Sequence, residues 1–247
     1  MFESLSHLFY VVLYQPLFNG LVFLYNYIPG HDFGVAIIFL TIIIKVILYP
    51  TSVKAVKSQK NLQKLQPQIQ EIQKKYKNDR EKQAKETLEL YKKEKINPFS
   101  GLLLALIQLP ILIALYQVFW NGLDPKKLET LYSFISNPGQ INPMFLHIVD
   151  LSKPNIVLAI LAGLTQYFQT KMMLPQTNMG ASGQKKEADF AQAMQKQMVY
   201  FFPVFTVIIL ISLPSALGLY WTISSVFIIA QQYLIFKKNS ETEPVNT

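Results

Sequence analysis

The 247-residue chain has no cysteine, which excludes disulfides, thiolate metal sites, a cysteine nucleophile and a lipidated N-terminal cysteine. Charge is also scarce: 15% of residues are Asp, Glu, Lys or Arg, while 51% are hydrophobic and 13% aromatic. Ordinary soluble domains carry about 25% charged residues, so this composition points to a membrane protein. There is no Gly-rich phosphate loop. His7, His31 and His147 lack a histidine four positions away, so no zincin-type motif exists. Neither a metal nor any other cofactor is expected, and an enzyme is the weakest reading. The net charge of +8 would suit nucleic acid, but lysines facing anionic lipid explain it equally, and their positions decide between the two.

Five apolar runs stand out, at residues 33–50, 99–120, 155–173, 198–213 and 216–236. Each is compared with the roughly 20 residues that cross a hydrocarbon core. The fourth is short, and only Pro214 and Ser215 separate it from the fifth, which predicts a tight helical hairpin. No fixed-period repeat is visible. One all-α polytopic membrane domain with five transmembrane helices is therefore expected.

The basic residues orient these spans. Residues 51–97 hold thirteen Lys or Arg, residues 174–197 hold Lys185, Lys186 and Lys196 just beyond Lys171, and the tail at 237–247 holds Lys237 and Lys238. Between the second and third spans stand only Lys126, Lys127 and Lys153, and the first 32 residues have none. The positive-inside rule then puts the N-terminus outside and the C-terminus in the cytoplasm. The charges lie where a membrane needs them, so no direct DNA binding is expected.

Residues 1–32 are apolar enough to resemble a signal peptide, but they lack a basic n-region and a small-residue cleavage site. Gln15, Pro16, Asn19 and Gly20 interrupt the stretch, and its tyrosines suit a headgroup layer. An interfacial helix on the outer surface is expected. A sixth span is the alternative, and it would move the N-terminus inside without a lysine to hold it there. The lack of an Arg- and Ser-rich leader favours a bacterial plasma membrane.

In the segment 51–97, Leu62, Leu65, Ile69, Ile72 and Tyr76 recur at spacings of three and four, Asn78 and Asp79 supply a turn, and Ala84, Leu88 and Tyr91 resume the spacing. This predicts a cytoplasmic helical hairpin, kinked at Pro67, that serves either as a solvated connector or as a docking arm.

Lys45 sits within the first span, in FLTIIIKVILYP. A charge at that depth costs about 2.5–3.5 kcal/mol even on the lenient insertion scale. Snorkelling is the bland explanation, but nine residues of helix, roughly 13 Å, separate Lys45 from Lys54, which is more than a lysine stem spans. Thr41, Tyr49 and Ser52 fall on the same helical face, and such a stripe should face protein or a water-filled cavity. Other spans offer matching polar groups: Gln108 beside Pro110, then Gln166, Gln169 and Thr170, then Thr222, Ser225 and Gln232. Each alone suits an interhelical clasp. The five spans contain no Asp or Glu, however, so the lysine has no internal counter-ion. A lone cation in a polar, membrane-buried cavity would receive transient negative charge.

The stretches INPFSGLLLALIQLPILIALYQVFW, LAILAGLTQYFQTKMM and FFPVFTVIILISLPSALGLYWTISSVFIIAQQYLI resemble the successive core spans of the YidC/Oxa/Albino membrane protein insertases. The likeness runs from about residue 33 to 236. It implies five core transmembrane helices around a hydrophilic groove that opens to the cytoplasm and inner leaflet and closes toward the outside, plus an outer amphipathic helix and a cytoplasmic helical hairpin. It also implies a mechanism without catalysis. A basic residue in the first span attracts acidic groups of an incoming protein, and the hydrophobic segment then passes laterally into lipid. Lys45 holds that position, where most members resemble one another in having arginine; lysine keeps the charge but loses the planar fork. Thr41, Gln108, Gln166 and Gln169 are the expected groove lining. Trp221 matches an aromatic position at the start of the last span, although an interfacial belt residue would look the same.

The partners so implied are hydrophobic substrate proteins with acidic translocated segments and membrane lipid, with the Sec translocon and the ribosome as further candidates. The tail NSETEPVNT is short and acidic, which leaves ribosome contact to the hairpin, and the stretch before residue 33 is too short for the large folded domain of some relatives. A small ion or solute channel or transporter is the rival reading. Against it, there is no inverted repeat and no Asp, Glu or His relay in the spans. A structural assembly scaffold would tolerate Lys45→Leu.

Overall fold

A computed structural model describes residues 2–97, 100–121, 125–173 and 197–242. The described residues are mostly helical. Helices α1 (Phe2–Phe9) and α2 (Gln15–Tyr27) are joined by a π-helical turn at Tyr10–Tyr14. They are followed by α3 (Phe33–Ile47), α4 (Tyr49–Lys75), α5 (Arg80–Lys93), α6 (Ser100–Asn121), α7 (Ile156–Met173), α8 (Phe202–Leu210) and α9 (Ser215–Thr242). A second π turn, Gln197–Phe201, leads into α8. Between α6 and α7 lie a 3-10 turn, Pro125–Thr130, and a two-stranded antiparallel hairpin, β1 (Met144–Phe145) with β2 (Val149–Asp150).

Both π turns stand just ahead of a proline, Pro16 and Pro203. A proline ring presses on the carbonyl four residues back, and a widened turn relieves that clash while the helix continues. The interruption at Pro16 therefore does not break the N-terminal segment, and Ser6–Tyr27 has the length and hydropathy to cross a membrane. Among the described residues, Ser215–Lys237 passes the same test; Phe33–Ile47 with Tyr49–Lys75 passes only as a pair bent by 66°. The apolar stretches Leu106–Trp120 and Val199–Leu210 are shorter.

The outer faces of these helices are apolar. Ile43, Val46 and Ile47 of α3, Ile113 and Trp120 of α6, Leu164 and Phe168 of α7, and Val204 and Ile208 of α8 are all exposed. So broad an apolar exterior suits a lipid solvent and would be a liability in water. Inside, Phe18, Leu21 and Val22 of α2 pack on Phe33, Ala36 and Ile37 of α3 and on Leu115, Val118 and Phe119 of α6. Helix α9 lies along α7 and α3. Helix α8 approaches α7 at Gly163, where a Cβ would collide with Val207 Cγ2.

Residues 125–155 close one end of the bundle. Leu128, Ile135, Ile141 and Leu151 are buried in the common core. Buried Asn19 donates to Gln15 O (2.8 Å) and accepts from Tyr132 N–H (2.7 Å), while Asn26 donates to Ser136 O (2.6 Å). The first N–H groups of α9, which a helix leaves unpaired, donate to this loop: Ser215 N–H to Lys153 O (2.9 Å) and Ala216 N–H to Leu151 O (3.1 Å).

The hairpin of α4 and α5 forms across residues 76–79, with Asp79 accepting from Lys82 N–H (2.9 Å) as N-cap. Leu65 and Ile69 are buried as expected, but Ala84 and Leu88 face solvent. The second arm instead turns Gln83, Glu86, Thr87 and Leu90 toward the first, with Gln83 donating to Gln73 O and Tyr76 to Glu86 Oε1. Polar side chains with long aliphatic stems supply this seam, which shifts it from the apolar register. The chain runs helically through Pro67, whereas the 66° bend lies at Leu48, just before Pro50 at the start of α4.

Candidate functional site

A cavity of about 310 Å³ lies among α3, α4, α6, α7 and α9. Its walls combine aliphatic and aromatic side chains with a cluster of amides and hydroxyls, and among the described residues Lys45 is the sole charged group lining it. Lys45 comes from the last turn of α3 and is 7% exposed. Its Nζ donates to Gln108 Oε1 on α6 at 3.2 Å, and Gln108 Nε2 donates in turn to the Tyr220 hydroxyl on α9. The cation is thus fixed by an amide that a buried phenol orients, across three helices. Among the described residues no carboxylate lines the cavity, so the charge has hydrogen-bonded support there but no counter-ion from them.

Of the residues expected to line a groove, the fold gathers Lys45, Gln108, Gln166, Gln169 and Trp221 around this cavity. Gln166 and Gln169 project from α7 together with Thr170. Thr41 is the exception. It is buried outside the cavity lining, and its hydroxyl donates to Ile37 O of its own helix at 2.7 Å, so its polarity is satisfied one turn back. Tyr49 leaves the shared face too and is exposed, because the bend at Leu48 redirects the chain. Ser52, beyond the bend, does return to the cavity and donates to Gln231 Oε1 at 2.7 Å.

Sequence reasoning passed over Tyr220, Ser224 and Gln231. They were nonetheless legible as positions 220, 224, 228 and 231 of α9, spaced four, four and three apart, a single helical face that ends in an amide. Gln59 on α4 and Met173 at the end of α7 form the rim distant from the loop 125–155, and there Gln63 Nε2 donates to Met173 O. Lys60 of α4 stands 5.1 Å from the ring of Phe236 on α9. The arm formed by α4 and α5 is therefore rooted directly in the cavity wall.

A bundle of helices that is apolar outside, holds a cavity lined by a lysine and amides, and is capped at one end by a packed loop defines a mostly α-helical membrane protein. The chain belongs to the family described as 60Kd inner membrane protein, whose model matches residues 23–242. Among its relatives, a membrane protein insertase YidC of Fusobacterium nucleatum subsp. nucleatum is 36% identical over 230 residues, which are 92% of this chain and 98% of that one. Proteins of the same name from Syntrophus aciditrophicus and Geobacter metallireducens are 35% and 34% identical over 92% and 95% of this chain. The match takes up only 36% and 38% of those two longer relatives. Family and apolar exterior together place the chain in a bacterial membrane.

Proposed function

We propose that the chain is a membrane protein insertase that receives hydrophobic segments of newly made proteins in the Lys45 cavity and releases them laterally into lipid. The observation that carries this reading is the buried Lys45, held by Gln108 and, among the described residues, lacking a counter-ion within the cavity. A fixed cation in a low-dielectric site attracts an acidic group far more strongly than one in water does. An acidic tail drawn to it would bring the adjoining hydrophobic segment against the exposed apolar faces of neighbouring helices.

In this reading the bundle spans the membrane with five core helices, the N-terminus outside and the C-terminus cytoplasmic, and the α4–α5 arm in the cytoplasm, where basic residues concentrate. The loop 125–155 then forms the outer seal. Its packing across one end of the bundle favours a one-sided groove over a channel, which needs a polar path from face to face. The arm offers a surface for a partner such as the Sec translocon or the ribosome.

The test is reconstitution of wild type, Lys45→Arg and Lys45→Leu in liposomes, with insertion of a single-span substrate bearing an acidic N-terminal tail as the readout and ion flux as a control. Arg is expected to preserve insertion and Leu to impair it, mainly for acidic tails. Equal insertion by all three would reduce Lys45 to a snorkelling or packing residue.

A further inference from the structure

Three polar atoms of cavity-lining residues are buried with no partner among the described residues: Gln166 Oε1 on α7, and Ser224 Oγ and Gln231 Nε2 on α9, of which the two amide atoms are fixed as acceptor and donor. Gln231 is 3% exposed, and its Oε1 is already taken by the Ser52 hydroxyl at 2.7 Å, which leaves Nε2 as an unused donor. Gln166, which lines another wall of the same cavity, carries an unused acceptor in its Oε1. Unpaired buried amide groups are costly and uncommon in folded proteins, so a pair of opposite kind in one cavity calls for a ligand.

One donor and one acceptor are what a peptide unit needs. A tail in transit is extended, and each of its N–H and C=O groups would be unsatisfied in a hydrocarbon environment, where only helices and closed barrels pair their own backbone. We propose that the cavity binds the main chain of the passing segment: Gln166 Oε1 accepts a substrate N–H, and Gln231 Nε2 donates to a substrate C=O. Every protein offers these groups, so the contact tolerates any sequence, whereas Lys45 adds a preference for acidic tails. Together they let one site receive many substrates while still ranking them.

This rests on the insertase reading and is tested separately from it. The full chain is reconstituted as wild type, Lys45→Leu and the double variant Gln166→Met/Gln231→Met, with folding of each checked by thermal melting. Three single-span substrates are compared: one with an acidic tail, one with a neutral Ser/Gly tail, and the neutral tail with two of its amide bonds replaced by esters. An ester removes the N–H and weakens the carbonyl acceptor.

Insertion above protein-free liposomes is measured. Wild type is expected to favour the amide tail over the ester tail about ten-fold, the worth of two ordinary hydrogen bonds. The double Met variant should lose that preference and insert both neutral and acidic tails less well by a similar factor, with acidic tails still ahead because Lys45 remains. Lys45→Leu should keep the preference and fail only with acidic tails. Equal wild-type insertion of amide and ester tails overturns main-chain recognition, as does an amide preference that survives in the double Met variant. If wild type inserts nothing above protein-free liposomes, the insertase reading itself fails.

Discussion

Asp32 ties the start of α3 to the tip of the β1–β2 hairpin: its Oδ1 accepts from Val35 N–H at 2.9 Å while its Oδ2 accepts from Leu146 N–H at 2.5 Å. Leu146 and His147 have φ of 51° and 59°, a left-handed turn that bulky residues adopt at a cost, so the carboxylate holds a strained tip in place. Asp32→Ala is expected to destabilise the protein by about 2 kcal/mol, combining a lost helix cap with a lost charged hydrogen bond. Asp32→Asn, which keeps one acceptor oxygen, should cost about half as much. Thermal melting and hydrogen exchange at the Leu146 amide check the order; equal losses for Ala and Asn would separate the two bonds from the carboxylate's role.

The same hairpin is seated by a missing side chain. A Cβ on Gly34 would collide with Phe145 Cδ2 and Cγ, so the ring lies directly on the α3 backbone. Gly34→Ala should destabilise by about 1–3 kcal/mol through overpacking. In a Phe145→Ala background the same substitution should be close to neutral, which a double-mutant cycle reads as coupling. Additive losses would mean that the clash lies elsewhere.

The helices were legible in the sequence because continuous apolar runs leave few alternatives: α6, α7 and the α8–α9 hairpin lie where those runs do. The bend between α3 and α4 was less so. Tyr49 and Pro50 read as the end of a span, whereas they open a 27-residue helix that continues into the arm. Periodicity also misplaced part of the seam of α5, since it counts only apolar residues, whereas Ala84 and Leu88 are exposed and Gln83, Glu86 and Thr87 join Leu90 and Tyr91 on the half-buried face.

At the site, residue type revealed Lys45 and the glutamines, which are anomalous in any apolar run. It could not show that Thr41 satisfies itself on Ile37, nor that Tyr220 completes the polar chain, because a tyrosine in a span is not anomalous. Three-dimensional pairing separates these cases; composition does not.

Gln232 is fully buried, and neither its Oε1 nor its Nε2 has a partner among the described residues. Unlike Gln231 it does not line the cavity. Replacing an unpaired buried amide with an apolar group of similar shape removes a desolvation penalty. Gln232→Met is therefore expected to raise stability by about 1 kcal/mol and to leave insertion unchanged. A drop in melting temperature would show that the amide is engaged after all.

Tyr220 acts on Lys45 only through Gln108, and this makes its contribution separable. In Tyr220→Phe the cation and the cavity shape stay, but Gln108 Nε2 loses its acceptor and the amide can turn away from Lys45. Insertion of an acidic-tail substrate should fall about three- to ten-fold, the worth of one hydrogen bond, while neutral tails are little affected. Residues that work as one unit are not additive, so Tyr220→Phe should add nothing in a Lys45→Leu background. If the two losses multiply instead, Tyr220 meets the substrate by itself, and the chain from phenol to amide to cation does not operate as a unit.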